Sequence, residues 1–147
     1  MRRHDALIPL SHDHHLALRH ARMLRQAAEG DDSERVRAAE AFIARFFSEA
    51  VRHFREEEEE ILPLVIRHPD APRDQIAQML EEHVLLHALV RELRDQVEDG
   101  STASELMREI ASTMRAHVRL EEDRLFPAIE RSIGARLDDV HLAQRQR

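Results

Sequence analysis

The chain has 147 residues, enough for a single domain with a sizeable apolar core. Its formal net charge of −7 counts against nucleic-acid binding, which would require a basic face. Cysteine is absent, so disulfides, thiolate metal sites and iron–sulfur clusters are excluded, and any metal must be held by nitrogen and oxygen atoms.

The sequence carries no sign of membrane insertion or export. No apolar run approaches the roughly 20 residues that a transmembrane helix needs. No basic segment followed by an apolar stretch indicates a signal peptide. We therefore expect a cytoplasmic protein with no membrane partner, and one domain over residues 1–147.

Glycine and proline are scarce, and they divide the chain into four helical segments. Gly30 and Gly100 follow helix-forming stretches, and the segment 68–72 contains two prolines. Between these breaks the apolar residues recur at helical spacing. The predicted helices lie near residues 10–29, 32–67, 72–99 and 102–133.

The ends of these helices and their connections predict how they pack. Asp31 with Glu34, and Thr102 with Glu105, have the spacing of a capping box at a helix start. Short connections place neighbouring helices antiparallel. We therefore predict an all-α, up-down-up-down four-helix bundle, followed by a frayed tail over residues 134–147.

Each predicted helix carries at least one of the eleven histidines in its apolar stripe. On the first helix His14 shares a face with Leu10 and Leu18, whereas His15 shares one with Arg19 and is expected to be exposed. The other stripes contain His53 on the second helix, His83 and His87 on the third, and His117 on the fourth. Buried polar groups need partners, and these stripes offer mainly one another's histidines and glutamates.

The chain contains an internal repeat. Residues 53–63 and 117–127 both read His, three residues, Glu-Glu, two residues, two apolar residues, Pro. The Asp-His pair at 13–14 and the Glu-His pair at 82–83 begin a looser match between the first and third helices. The chain therefore reads as two copies of a helix pair, and their pseudo-twofold symmetry would suit a site with two metals.

Helix geometry gives this spacing a chemical meaning. Residues four apart point the same way, one turn apart. His53 with Glu57, and His117 with Glu121, can therefore reach one metal, or the carboxylate can bridge two. His83 and His87 have the same spacing.

Two further glutamates compete with these candidates. Glu58 and Glu122 lie five residues after their histidines and swing off the histidine face, where they can orient a ligand histidine instead. The run 56–60, taken alone, is most often a solvated helix face. The joint pattern of five histidines and two glutamates on inward stripes is harder to explain, because burying them without a metal would be costly.

These motifs together resemble the hemerythrin, or HHE cation-binding, family over roughly residues 10–133. The resemblance is carried by Asp13-His14, His53-x-x-x-Glu57, His83-x-x-x-His87 and His117-x-x-x-Glu121. The resemblance implies a bacterial hemerythrin-like protein.

The resemblance implies a non-haem centre of two iron ions joined by an oxo or hydroxo bridge. By analogy, one iron is held by His83, His87 and His117, the other by His14 and His53, and both are bridged by Glu57 and Glu121. The second iron would keep an open position for dioxygen. Animal oxygen carriers of the family place the fourth-helix carboxylate at the position of Glu122, as Asp, so Glu122 remains the alternative to Glu121.

Three functions are consistent with this resemblance. The five-histidine set favours binding of dioxygen, or of a related diatomic or peroxide ligand, for storage, transport or sensing. The alternative is a di-iron enzyme acting on peroxide, nitric oxide or iron, including iron-centre repair, and the repair branch uses fewer histidines. The third is a structural or zinc-binding bundle, since nitrogen and oxygen ligands also suit zinc.

Overall fold

A computed structural model describes residues 2–142 of the protein. Within that range the chain forms helices and no strand. The four long helices are α1 (Ile8–Ala27), α2 (32–65), α3 (Arg73–Glu98) and α4 (104–133). A 3-10 turn at Asp5–Leu7 precedes α1, and another at Gly134–Asp139 follows α4. The predicted all-α class is confirmed.

The four helices pack in a ring. α1 packs against α2 and α4, and α3 packs against the same two helices. Because the connections are short, consecutive helices run antiparallel, as in an up-down-up-down bundle. No described helix combines the length and the apolar character needed to cross a membrane.

The two predicted capping boxes have different outcomes. The carboxylate of Asp31 accepts a hydrogen bond from the Glu34 backbone N–H at 2.8 Å, so that cap is confirmed. The prediction for Thr102 is wrong, because α4 begins at Ser104. There the Ala103 N–H donates instead to the side chain of Gln96 at 2.8 Å, which ties the start of α4 back to α3.

Three wide π-helical turns interrupt the long helices. They lie at Phe46–Ala50 and Glu57–Ile61 in α2 and at Glu121–Leu125 in α4. In the second and third turns, a proline of the repeat follows two residues after the turn ends, at positions 63 and 127. Proline has no N–H, and its ring clashes with the carbonyl four residues earlier in an α-helix. The wider turn accommodates the proline, so the repeated His-to-Pro spacing corresponds to a repeated π turn.

Two apolar clusters fill the bundle. The large core draws on the C-terminal halves of α1 and α3 and the N-terminal parts of α2 and α4, and it includes Leu24, Phe42, Leu93 and Ile110. The terminal core lies at the other end of the bundle and includes Leu7, Ile61, Met79, Ile129 and Leu137. On α1 and α3 the buried histidine lies between residues of the two clusters, and on α2 and α4 it directly precedes the last large-core residue.

The tail expected to fray does not do so over its described part. Leu137 is fully buried in the terminal core, and Val140 packs against that core. His4 Nε2 lies 2.9 Å from a carboxylate oxygen of Asp138, which joins the first and last described segments. Burial of Leu137 explains the order, because an apolar side chain removed from water stabilises the segment that carries it. Residues 143–147 of the predicted tail lie outside the described residues.

Candidate metal centre

Six of the seven predicted site residues converge between the two cores. They come from all four helices and none is more than 4% exposed. They are His14 on α1, His53 and Glu57 on α2, His83 on α3, and His117 and Glu121 on α4. The four-residue spacing within α2 and α4 turns each histidine and its glutamate towards the bundle axis.

These six residues form two overlapping groups that share both glutamates. One group is His14, His53, Glu57 and Glu121, and the other is Glu57, His83, His117 and Glu121. Within each group the four donor atoms lie within 4.8 Å of one another. Metal–ligand bonds to nitrogen and oxygen are about 2.0–2.2 Å long, so each group has the dimensions to surround one ion.

The inner nitrogen of each histidine faces a shared glutamate. His14 Nε2 lies 2.6 Å from Glu121 Oε2, His53 Nε2 2.6 Å from Glu57 Oε1, His83 Nε2 3.2 Å from Glu57 Oε2, and His117 Nε2 2.7 Å from Glu121 Oε1. Each glutamate therefore directs one oxygen towards each group, which is the arrangement of a bridging carboxylate.

The outer nitrogen of each histidine contacts a second carboxylate. His14 Nδ1 lies 2.6 Å from Glu122, His53 Nδ1 3.0 Å from Asp13, His83 Nδ1 2.8 Å from Glu58, and His117 Nδ1 2.8 Å from Glu82. Such contacts fix the tautomer and orientation of a metal-binding imidazole, because Nδ1 carries the proton and Nε2 is left for the metal.

These outer contacts follow the internal repeat. Asp13 and Glu82, each next to a candidate ligand histidine, hold the histidines of the helix that follows them. Glu58 and Glu122 cross between the two copies, as expected for orienting groups. The sequence places Asp13 and Glu82 in motifs but predicts no role for either carboxylate. The available signal was the acidic residue that directly precedes a stripe histidine in both copies.

The structure places the alternative residues on α1 and α4 differently. His14 is buried and His15 is exposed. Glu121 belongs to both groups, whereas Glu122 lies outside them and contacts the outer nitrogen of His14. Glu122 is also fixed by Arg3, whose Nη2 lies 2.7 Å from its carboxylate. Arg3 precedes the first predicted helix, so helical periodicity could not identify it.

His87 is the predicted ligand that the structure does not bring into either group. Its ring packs edge-on against Phe46, with the centroids 5.3 Å apart, and against Phe54 at 6.1 Å. Burial, followed by the positive charge of Arg91, lowers the pKa of His87. A four-residue spacing on a helix leaves a 40° difference in direction and one turn of rise. On α3 that turn carries His87 into the large core's aromatic residues.

The charges around the inner histidines change their protonation. Burial alone would lower the pKa of His117, but Glu121 and Glu82 outweigh it and raise the pKa to about 10. Burial likewise opposes the charged form of His83, and the nearby carboxylates of Glu121 and Glu57 raise its pKa to about 9. Without a metal, these histidines carry protons where the ions would lie.

The glutamates respond in the opposite direction. Burial would raise the pKa of Glu121, but the surrounding histidines, His117 first, hold it well below its ordinary value. Burial also disfavours ionisation of Glu122, and the hydrogen bond from His14 is the largest effect that lowers its pKa, to about 2. Both carboxylates are therefore charged at neutral pH, the state in which a carboxylate binds a metal.

The atoms at the centre of the site that lack hydrogen-bond partners fit a bound cation. Several buried nitrogen and oxygen atoms of the site have no hydrogen bond of acceptable geometry. They are both oxygens of Glu57, Oε1 of Glu121 and the Nε2 atoms of His53, His83 and His117. All of them face the centre of the two groups, whereas the outward Nδ1 atoms are satisfied. Buried polar atoms without partners are rare and costly. A cation between the groups would satisfy them together.

The comparison with known families agrees with this geometry. A profile described as the hemerythrin HHE cation binding domain matches residues 7–129. The chain belongs to the hemerythrin HHE cation-binding domain family. The match spans all six converging residues and the four outer carboxylates. No curated protein and no solved structure matches the chain. The buried histidines and glutamates of this hemerythrin-like domain form a candidate metal-binding site.

Proposed function

We propose that this hemerythrin-like protein holds two iron ions between its four helices and uses them to bind dioxygen or a related small ligand. The observation that supports this most directly is the pair of four-residue groups sharing Glu57 and Glu121. In this proposal His14 and His53 hold one ion, His83 and His117 hold the other, and the two glutamates bridge them.

The donor set suits iron. Each ion would receive two imidazole nitrogens and one oxygen from each bridging carboxylate. Two histidines with carboxylate oxygens and free positions are the environment of non-haem iron sites that react with dioxygen. Because the protein supplies only four donors to each ion, coordination positions remain for an external ligand.

The protein's own residues prepare the site for that chemistry. A pair of iron ions held by these residues would supply two adjacent centres able to deliver two electrons to a ligand. The outer carboxylates orient the histidines, and the apolar cores on both sides restrict water. The ring of Phe54 stacks on His83 with the centroids 3.9 Å apart, which covers that side of the site.

The proposal is tested by counting metal and following ligand binding. Protein loaded anaerobically with ferrous iron should contain two irons per chain, and exposure to air should produce the near-ultraviolet absorption of a bridged ferric pair. Removal of dioxygen should reverse any adduct. One metal per chain, or zinc retained in place of iron with no response to air, would contradict the proposal.

A second function is supported by the position of His87. With His87 outside both groups, the two ions would have matching sets of two histidines, as in the family branch with fewer histidines. This arrangement favours a di-iron enzyme acting on peroxide or nitric oxide over a carrier with one open iron. Rapid, repeated consumption of hydrogen peroxide or nitric oxide by the loaded protein, without reversible dioxygen binding, would favour the enzyme.

A further inference from the structure

A cleft leads from the surface to the candidate metal centre between α1 and α2. Its internal volume is about 40 Å³, and α4 closes its far side. A single water needs roughly 10–15 Å³ by a similar measure, so the cleft can admit a molecule of two or three heavy atoms. We call it the α1–α2 cleft.

The walls of the α1–α2 cleft are apolar. Ala17 on α1 faces the space, with Phe42, Phe46 and Ala50 on α2 and Met114 on α4. Phe46 and Ala50 are the first and last residues of the first π turn. An ion would lose its hydration along such a wall without gaining new partners, which is strongly unfavourable. An uncharged small molecule would not.

The inner end of the cleft reaches one side of the candidate site. His14 and His53, which belong to the same group, both line it, and so does His117. His83 does not line it, because Phe54 lies against the His83 ring. The cleft therefore approaches the ion position between His14 and His53 more directly than the other one.

The outer end of the cleft is polar. His20 on α1 and Glu49 on α2 lie across it, with His20 Nδ1 3.8 Å from a Glu49 carboxylate oxygen. Arg45 lines the same end. An ordinary packing defect inside a core would be enclosed by apolar atoms alone. This one runs from a charged mouth at the surface to three buried histidines.

We infer that the α1–α2 cleft is the route by which a small uncharged ligand reaches the candidate metal centre, with Ala17 and Ala50 setting its width. The identity of the ligand rests on the proposed function, whereas the route rests on the shape and lining of the cleft alone. It assigns selectivity to two alanines outside the candidate ligand set: diatomic gases pass, and hydrated ions and larger organic molecules do not.

The first test needs no metal. Crystals of metal-free protein exposed to xenon gas should show xenon in the α1–α2 cleft, because xenon occupies apolar cavities. Ala50→Leu should abolish that occupancy, since its added carbons fill the cleft. The matched control is Ala116→Leu, the same change at an exposed position of α4. Absence of xenon from the wild-type cleft would overturn the route.

The second test measures arrival of the ligand. In iron-loaded protein, Ala50→Leu should slow nitric oxide association, followed by stopped-flow absorption, by on the order of 10-fold, with two irons still bound. Ala17→Leu fills the cleft from the opposite wall and should slow association similarly. Agreement between the two variants shows that the effect comes from the cleft and not from local damage to one helix. An unchanged rate in a variant that excludes xenon would overturn the route. Failure of wild-type protein to bind two irons would instead count against the proposed function, and the xenon result would still stand.

Discussion

Each histidine of the candidate centre is constrained at both ring nitrogens. The outer nitrogen meets a carboxylate at 2.6–3.0 Å, and the inner nitrogen faces a shared glutamate. This double constraint fixes the orientation of each ring before any metal arrives, and the outer carboxylate keeps the proton on Nδ1 when a metal takes Nε2. The four outer carboxylates are therefore expected to contribute to metal affinity although none would touch an ion.

Glu82→Gln tests the contribution of an outer carboxylate. The amide keeps the shape of the side chain but loses the charge that favours an Nδ1–H on His117. We expect iron affinity to fall about 10–100-fold, with the fold retained. Competition with a chelator measures the affinity. Glu59→Gln, which changes an exposed glutamate of α2, is the matched control and should have no effect.

His87 is the residue for which the prediction from sequence and the structure differ. Because the structure leaves His87 out of both groups, His87→Ala should still bind two irons per chain. His117→Ala removes a member of one group and should lower the count. Elemental analysis of both variants after anaerobic loading gives the answer. Loss of one iron from His87→Ala would restore the five-histidine site.

The metal-free protein should lose stability at alkaline pH. The pKa values of about 9 for His83 and about 10 for His117 lie above the ordinary value of 6.5, so the folded state holds their protons more tightly than the unfolded state. Their stabilisation is complete below pH 6.5 and is lost as the pH rises through 9 and 10. Glu122, with a pKa of about 2, stabilises above pH 4.5 and loses that effect as the pH falls towards 2.

Urea denaturation of the metal-free protein across this pH range measures the effect. The free energy of unfolding should be highest between about pH 4.5 and 6.5 and should decline on the alkaline side. His117→Gln should make the alkaline decline shallower, because one of the two shifted groups is gone. A profile that is flat from neutral to alkaline pH would show that neither histidine is protonated in the folded state.

The second and third π turns allow a helix to carry an inward-facing glutamate and, six residues later, a proline. Glu57 and Glu121 are the first residues of two π turns, and each turn closes with a hydrogen bond back to that glutamate's carbonyl, from the N–H of Leu62 or Phe126. A π turn contains one residue more than the α-helical turn it replaces. Both flanking segments can then keep their apolar faces on the core.

Deletion of Glu60 tests whether the π turn serves the site. Glu60 is exposed, and removing it should convert the turn to α-helix without rotating Ile61 away from the terminal core. The helix content and thermal stability should be retained, whereas iron affinity should fall because Glu57 moves. Calorimetry and chelator competition measure the two properties. Glu60→Ala keeps the length and should leave both unchanged, and undiminished affinity in the deletion would separate the turn from the site.

Sequence periodicity could predict the helices and most of the site, because both depend on local spacing. A four-residue interval fixes the directions of His53 and Glu57 on one helix, whatever the rest of the bundle does. The start of α4 and the order of the tail depend on tertiary contacts instead. Gln96 takes over the cap expected from Thr102, and Leu137 is ordered by a core that the chain builds elsewhere.

The π turns and the outer carboxylates could have been anticipated only from the repeat. Proline inside an otherwise helical pattern predicts a break or a kink, and its recurrence at the same distance from His53 and His117 marks a shared local distortion. The position of His87 depends on more than local spacing. Its spacing from His83 matches that of a ligand pair, but which turn of α3 lies level with the site is decided by packing against α2 and α4.

Over the whole molecule, a polar layer divides the apolar interior in two. The large core lies on one side of the candidate centre and the terminal core, which holds both described ends of the chain, lies on the other. A layer of charged and unpaired groups interrupts the apolar contacts that make folding cooperative. Metal bound to residues from all four helices would reconnect the two cores.

This division predicts how metal changes the stability of the bundle. In metal-free protein, amide hydrogen exchange should be faster in the terminal core, near Leu10 and Ile129, than in the large core, near Leu93 and Ile110, because the smaller unit can open alone.

With iron at about 100 times its dissociation constant, iron binding adds about 2.7 kcal/mol to the free energy of unfolding, which raises the melting temperature by roughly 5–10 °C. Exchange in both cores should then slow to a common rate. His117→Ala with iron added should exchange more nearly like the metal-free protein. Equal exchange in the two cores before metal is added would show that the polar layer does not separate them.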